Sequence, residues 1–111
     1  ISLQIQIFEG LFILAMLEMR PTCEHCNKDL PNASREAMIC TFECTFCLDC
    51  VSDVLQNVCP NCGGGFQSRP TRPTSMTKKH PVSNNRVFKP VNLDVFNPLL
   101  DKHKDIDSRK R

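Results

Sequence analysis

Cys40, Cys44, Cys47 and Cys50 crowd the stretch CTFECTFCLDC, and two further pairs flank it: CEHC (Cys23, Cys26) and CPNC (Cys59, Cys62). Thiolates are soft donors and strong nucleophiles, so clustered cysteines pair as disulfides, run redox chemistry or hold a soft metal ion. The full spacing is C-x2-C-x13-C-x3-C-x2-C-x2-C-x8-C-x2-C. A structural zinc takes four ligands in a tetrahedron. The 8 cysteines therefore supply two closed sites with none left over.

The choice between disulfide and metal follows from the compartment. Residues 1–15 form an apolar leader without a basic start; the first basic residue is Arg20, and Gln4, Gln6 and Glu9 interrupt the run. A membrane span needs about 20 apolar residues, and a signal peptide needs a basic start and a small-residue cleavage site. Residues 1–15 are thus expected to be an upstream extension, with Met16 or Met19 a natural start. A cytoplasmic chain keeps its thiols reduced, and reduced clustered thiols bind zinc. The cysteine window also holds few large apolar residues, among them Leu30, Phe42, Phe46, Val51, Leu55 and Val58. So small a core needs staples, and two zinc ions would provide them.

Three elements must position these thiols. CEHC and CPNC each read as a zinc knuckle, a tight turn whose N–H groups point at sulfur, and Gly63 gives the second the freedom to turn. MICTFECTF reads as a β-hairpin with Phe42 and Phe46 as apolar anchors. After Cys50, Val51, Val54, Leu55 and Val58 recur at i, i+3, i+4 and i+7, one apolar face of a short helix. Cys47 and Cys50 then lie at its N-terminus, where free N–H groups favour thiolate. Knuckle, hairpin and helix in that order make a treble clef, in which the first knuckle and the helix pair share an ion across the hairpin. The expected cross-brace places Cys23, Cys26, Cys47 and Cys50 in site 1 and Cys40, Cys44, Cys59 and Cys62 in site 2. Its rival is sequential pairing: Cys23/Cys26/Cys40/Cys44, then Cys47/Cys50/Cys59/Cys62.

Over residues 23–62 the spacing resembles that of RING domains, with Cys44 where many have His, and Phe46-Cys47, the short helix and CPNC in matching places. The resemblance implies a small metal-stabilised α+β fold with two zinc sites. More closely, MLEMRPTCEHCNKDLP, CTFECTFCLDC and CPNCGG, followed by RPTRP and HPVSNNRVFKP, look like a family of short bacterial proteins known as a domain of unknown function. That likeness runs from Met16 to about Pro90 and implies a bacterial cytosolic protein, but it supplies no activity. RING-type ubiquitin ligases usually place an aliphatic residue after the first ligand, and many place a basic one after the last. Here those residues are Glu24 and Gly63, and only Pro60 suits the ligase pattern.

No catalytic site is expected. A catalytic zinc keeps a position open and commonly has His or carboxylate ligands, whereas here every ligand is Cys. His25 reads as an exposed loop residue within the first knuckle, and Gly63–Gly65 as a hinge. His80 and His103 have no Cys or paired carboxylate at useful spacing, and no nucleophile–His arrangement or HExxH occurs.

Charge divides the chain. Residues 16–66, the two-zinc module, carry three basic and seven acidic residues, a net −4; residues 67–111 carry eleven basic and four acidic, a net +7. Eight thiolates and two zinc ions would take the module to about −8. The tail has five prolines and reads as largely disordered, with Arg69–Lys89 extended. Leu93, Val95, Phe96, Leu99 and Leu100 form an apolar cluster, but Pro98 is expected to interrupt any helix there. Two functions follow: a non-catalytic zinc module that contacts another protein, or a nucleic-acid-binding zinc protein. The second would use Arg69, Arg72, Lys78, Lys79, Arg86 and Lys89 on phosphates, with Phe88 to stack a base. No membrane partner is expected.

Overall fold

The computed structural model describes residues 16–111, so the reading of residues 1–15 lies outside the described range. Two short strands, β1 (Ala37–Ile39) and β2 (Thr45–Cys47), form the expected hairpin, pairing Ala37 with Cys47, Met38 with Phe46 and Ile39 with Thr45. Its turn is closed by Glu43 N–H donating to the Cys40 carbonyl (3.1 Å) and Cys40 N–H donating to the Cys44 carbonyl (3.2 Å). Glu43 takes the left-handed conformation (φ 66°) that such a hairpin needs before the second strand begins. A third strand, β3 (Gln67–Ser68), pairs antiparallel with the free edge of β1, giving the order β2-β1-β3.

Past β2 the chain turns helical and runs as a π-helical turn over Cys50–Val54, with Leu55 N–H on the Cys50 carbonyl (2.9 Å). Val51, Leu55 and Val58 are buried and Val54 is partly so, as the apolar spacing requires. The helix is short because Gln56 (φ 47°) and Asn57 (φ 59°) both take left-handed conformations that end it. The core joins Leu30, Phe46, Val51, Leu55 and Val58 to Phe66, Phe96 and Leu100, with buried cysteines among them. Phe46 and Phe66 meet edge to face, centroids 5.5 Å apart, a favoured aromatic geometry. Phe42, expected as an apolar anchor, instead stands at the hairpin tip and is 71% exposed. The turn at Cys40–Cys44 leaves it no sheet face to pack on.

The tail departs most from expectation: it is packed on the module rather than largely disordered. Arg69 is buried and donates to the carbonyls of Arg20 (2.8 Å), Leu30 (3.0 Å) and Pro31 (2.9 Å). Arg72 reaches the carbonyls of His80 and Leu17, and its backbone pairs with the Asn32 amide in both directions. Backbone N–H groups of Ser83 and Lys89 bond to the carbonyls of Met19 and Glu24. The expectation of an extended Arg69–Lys89 strip does not hold throughout: a 3-10 turn over Thr74–Met76, continued by His80 N–H on the Met76 carbonyl (2.9 Å), folds its middle, and the stretches on either side bind the module through side chains and isolated backbone bonds without a ladder.

Helix α1 (Leu93–His103) then buries Phe96 and Leu100 against the core, with Asn92 capping Asp94 N–H. Pro98 lies inside α1 without interrupting it. Proline takes away the N–H that would bond to the carbonyl of Asp94 and crowds that carbonyl with its ring, and Asp94 is exposed to solvent. Among the described residues no helix is long and apolar enough to cross a membrane.

Candidate metal centre

The two knuckles have the same backbone. In the first, Asn27 N–H bonds to the Cys23 carbonyl (3.0 Å) and Cys23 N–H to the Lys28 carbonyl (2.9 Å). In the second, Gly63 N–H bonds to the Cys59 carbonyl and Cys59 N–H to the Gly64 carbonyl, both at 2.8 Å. Asn27 (φ 63°) and Gly63 (φ 78°) hold matching left-handed conformations after the second cysteine of each pair. N–H groups are aimed at sulfur in the second knuckle (Gly64 at Cys62 Sγ, 3.4 Å), in the hairpin turn (Phe42 at Cys40 Sγ, 3.3 Å) and at the start of the helical turn (Cys50 at Cys47 Sγ, 3.5 Å). Donors directed at sulfur stabilise its charged form.

The fold gathers the thiols into two groups. Sγ atoms of Cys23, Cys26, Cys47 and Cys50 all lie within 4.8 Å of one another, as do those of Cys40, Cys44 and Cys59. Cys62 is exposed and is not gathered with the second group within that distance. All eight thiols are free rather than paired as disulfides. Cys26 Sγ and Cys47 Sγ are 3.7 Å apart. Bonds of about 2.3 Å from a central zinc to four sulfurs would set the edge of the tetrahedron at roughly 3.8 Å. The first group thus fits a tetrahedral ion of that size, and both groups could hold a metal ion.

Within each group the thiols and their donors perturb one another. Cys44 falls to about 5 because the Cys59 thiol donates to it, outweighing burial; the Asn61 amide (3.3 Å), the Cys40 thiol and the Arg20 charge also help. Cys59, the donor in that bond, is pushed up, and burial lifts Cys40 to about 11. In the first group burial raises Cys47 and Cys50. Cys26 is lowered despite burial, by the Lys28 N–H and the neighbouring thiols. Like charges repel in a low-dielectric site, and a bound cation would favour the deprotonated form of the thiols around it.

Polar groups around the thiols are structural. Glu24, 3% exposed, accepts from Arg20 Nη1 (2.8 Å) and from Thr45 N–H, tying the first knuckle to β2. Burial raises its carboxyl above the usual range, against the pull of those two donors. His25 is half-buried and not a free loop residue: its Nδ1 accepts from Val91 N–H (2.9 Å), anchoring the tail. Gly63–Gly65 is a packing surface rather than a hinge. A Cβ at Gly63 would lie 3.1 Å from the His103 ring, and one at Gly65 would lie 2.7 Å from Ser108 Cβ. Sequence reasoning missed Phe66 and the docking roles of Arg69, Arg72 and His25. Phe66, the one apolar residue between Cys62 and Arg69, offered a signal by its isolation; side chains that bind backbone carbonyls have no sequence signature.

Paired thiol groups in a small three-stranded α+β fold define a cysteine-rich protein with candidate metal sites. The chain belongs to the family described as "Protein of unknown function (DUF1272)", whose profile matches residues 16–72. It is also similar to an uncharacterised protein of Rhizobium meliloti (strain 1021), 59% identical over 75 residues, which covers 68% of this chain and 89% of that protein. No solved structure matches the chain.

Proposed function

We propose that the protein is a non-catalytic zinc module of the bacterial cytoplasm, a RING-like treble clef with two zinc ions that contacts another protein. The observation that carries this reading is the interleaving of the thiol groups. The first knuckle converges with Cys47 and Cys50, while Cys40 and Cys44 of the hairpin converge with Cys59 of the second knuckle. Sequential pairing would have split both groups. An all-sulfur donor set at tetrahedral spacing suits zinc, and thiols left free suit a reducing compartment. Cys62, the second cysteine of that knuckle, is the fourth donor assigned to Cys40, Cys44 and Cys59.

Protein contact is supported by exposed apolar side chains: Val95 (74%), Phe42 (71%) and Phe88 (55%). Val95 also lines a cavity of about 280 Å³ between Pro60 and the Val91–Leu99 stretch. The nucleic-acid reading keeps exposed Lys78, Lys79, Arg86, Lys89 and Phe88, with Arg86 Nη1 3.7 Å from Asp29 Oδ1, but Arg69 and Arg72 point inward to carbonyls and are withdrawn from phosphate. Ligase activity is weaker still, since Glu24 is buried in an ion pair and the tail lines the groove beside Pro60. The metal half of the proposal is tested by zinc stoichiometry and by loss of structure on chelation. The partner half is tested by comparing Val95→Asp and Phe42→Asp with the parent chain in capturing bacterial proteins. Capture unchanged by either substitution overturns a contact through these residues. Binding to single-stranded DNA that weakens steeply with salt would favour the alternative.

A further inference from the structure

We propose that Glu24 is a positioning residue that couples the two metal positions, so that filling one favours filling the other. The inference rests on the zinc reading above and concerns how the two sites depend on each other.

Glu24 belongs to the first knuckle, between Cys23 and Cys26, yet what it holds belongs to both sites. Its N–H donates to the Thr45 carbonyl (3.0 Å), and its carboxylate Oε2 accepts from the Thr45 N–H. One residue thus holds both backbone groups of Thr45. Thr45 directly follows Cys44, a thiol of the second group, and stands two residues before Cys47, a thiol of the first. Thr45 is 0% exposed and Glu24 is 3% exposed, so these bonds are shielded from water. A second path joins the same places. Glu24 Oε2 also accepts from Arg20 Nη1 (2.8 Å), Arg20 Nε stands 3.5 Å from Glu18 Oε1, and Glu18 N–H donates to Glu43 Oε2 (3.0 Å). Glu43 lies in the hairpin turn, between Cys40 and Cys44.

A buried carboxylate costs free energy even when donors satisfy it, and a well-packed apolar group in its place is often no less stable. Coupling the sites is a role that only the clamp on Thr45 can perform. An ion held by Cys23, Cys26, Cys47 and Cys50 would fix the first knuckle and the end of β2. Through Glu24 it would also fix Thr45, and with it the neighbouring Cys44 of the second group. The ordering cost of the clamp is met once, and the other ion then meets a site already shaped. Coupling of this kind is reciprocal and typically amounts to about 5–150-fold in affinity.

The test uses the full chain in zinc buffered so that half of the metal positions are filled, with the apo, one-ion and two-ion species counted by native mass spectrometry. Independent, equal sites would leave about one half of the chains with one ion. Unequal affinities, or repulsion between two anionic centres, would raise that share, and only favourable coupling lowers it. A tenfold coupling brings the share to about one quarter, and the parent chain is expected at that value or below. In Glu24→Ala the share should rise to about one half or more. Glu24→Gln keeps an oxygen for the Thr45 N–H but loses the charge that pairs with Arg20, and its share should lie between the two. A merely structural Glu24 would change the zinc concentration needed for half filling and leave the share as it is in the parent.

A one-ion share of one half or more in the parent chain would overturn the proposal, and so would a share unchanged by Glu24→Ala. The parent measurement needs no variant to fold. Should Glu24→Ala fail to take up two ions, Glu24→Gln carries the comparison, and a share left at the parent's value overturns the coupling. A parent chain that binds no metal at all overturns the zinc reading and this inference together, a result distinct from two ions that fill independently.

Discussion

Replacing Arg69 with alanine should cost far more than replacing any other basic residue of the tail. Arg69 is 5% exposed and gives three hydrogen bonds of 2.8–3.0 Å to the carbonyls of Arg20, Leu30 and Pro31, while its own N–H holds the Ala37 carbonyl (2.9 Å). Hydrogen bonds to a charged group are worth about 1.5–3 kcal/mol each, so the gross interaction is roughly 5–9 kcal/mol. Desolvation of the guanidinium and relaxation around the shortened side chain offset much of that, leaving a net loss of about 3 kcal/mol. Small domains have about 5–15 kcal/mol in total, so this loss lowers the folded-to-unfolded ratio by roughly a hundredfold. Arg69→Lys should recover less than half, because a single ammonium nitrogen cannot stand at both the Nη1 and Nη2 positions from which these bonds are given. The assay is urea unfolding of the zinc-loaded chain, with Lys79→Ala, exposed in the same tail, as a control expected within about 0.5 kcal/mol of the parent. A loss below about 1 kcal/mol for Arg69→Ala would refute the clamp. So would a fall of about one in the salt slope of nucleic-acid binding without loss of stability, which marks a phosphate contact.

Further outcomes follow from the same packing. Phe46→Ala, at 1% exposure against Phe66, should cost about 3–5 kcal/mol in unfolding experiments. Val95→Ala, at 74% exposure, should change stability by less than about 0.5 kcal/mol. Gly63→Ala should cost about 1–3 kcal/mol, since φ is 78° and the new methyl would press on His103. Loss of the second ion at a lower chelator concentration would accompany it. Cys23→Ser should remove the first ion while Cys40, Cys44, Cys59 and Cys62 keep the second, as read by cadmium or cobalt spectroscopy. Loss of spectral features from Cys40 instead would restore sequential pairing.

The thiol groups were legible because a shared metal ion would fix residue type and spacing together. CEHC and CPNC can close a turn around an ion only with a left-handed residue after them, and Asn27 and Gly63 supply it. The hairpin and the Val51/Leu55/Val58 face were legible for a related reason, since periodicity records which side is buried. The tail was not legible. Arg69 and Arg72 look like ordinary surface cations because their partners are backbone carbonyls of Leu17, Arg20, Leu30, Pro31 and His80, which no side-chain pattern announces. Pro98 argued against a helix through propensity alone. The burial of Phe96 and Leu100 on either side of it outweighs the one lost hydrogen bond. Phe42 misled in the opposite direction, since a hairpin's apolar residue is a core anchor only when it lies in a strand and not in the turn.

Native mass spectrometry of the full chain, reconstituted with two equivalents of zinc and followed by circular dichroism during chelation, tests the account most directly. Two bound ions, with the sheet and α1 lost together as the ions are removed, is the predicted result, because metal-binding energy is folding energy in a core this small. One ion or none, or a chelated chain with an unchanged spectrum, would contradict it.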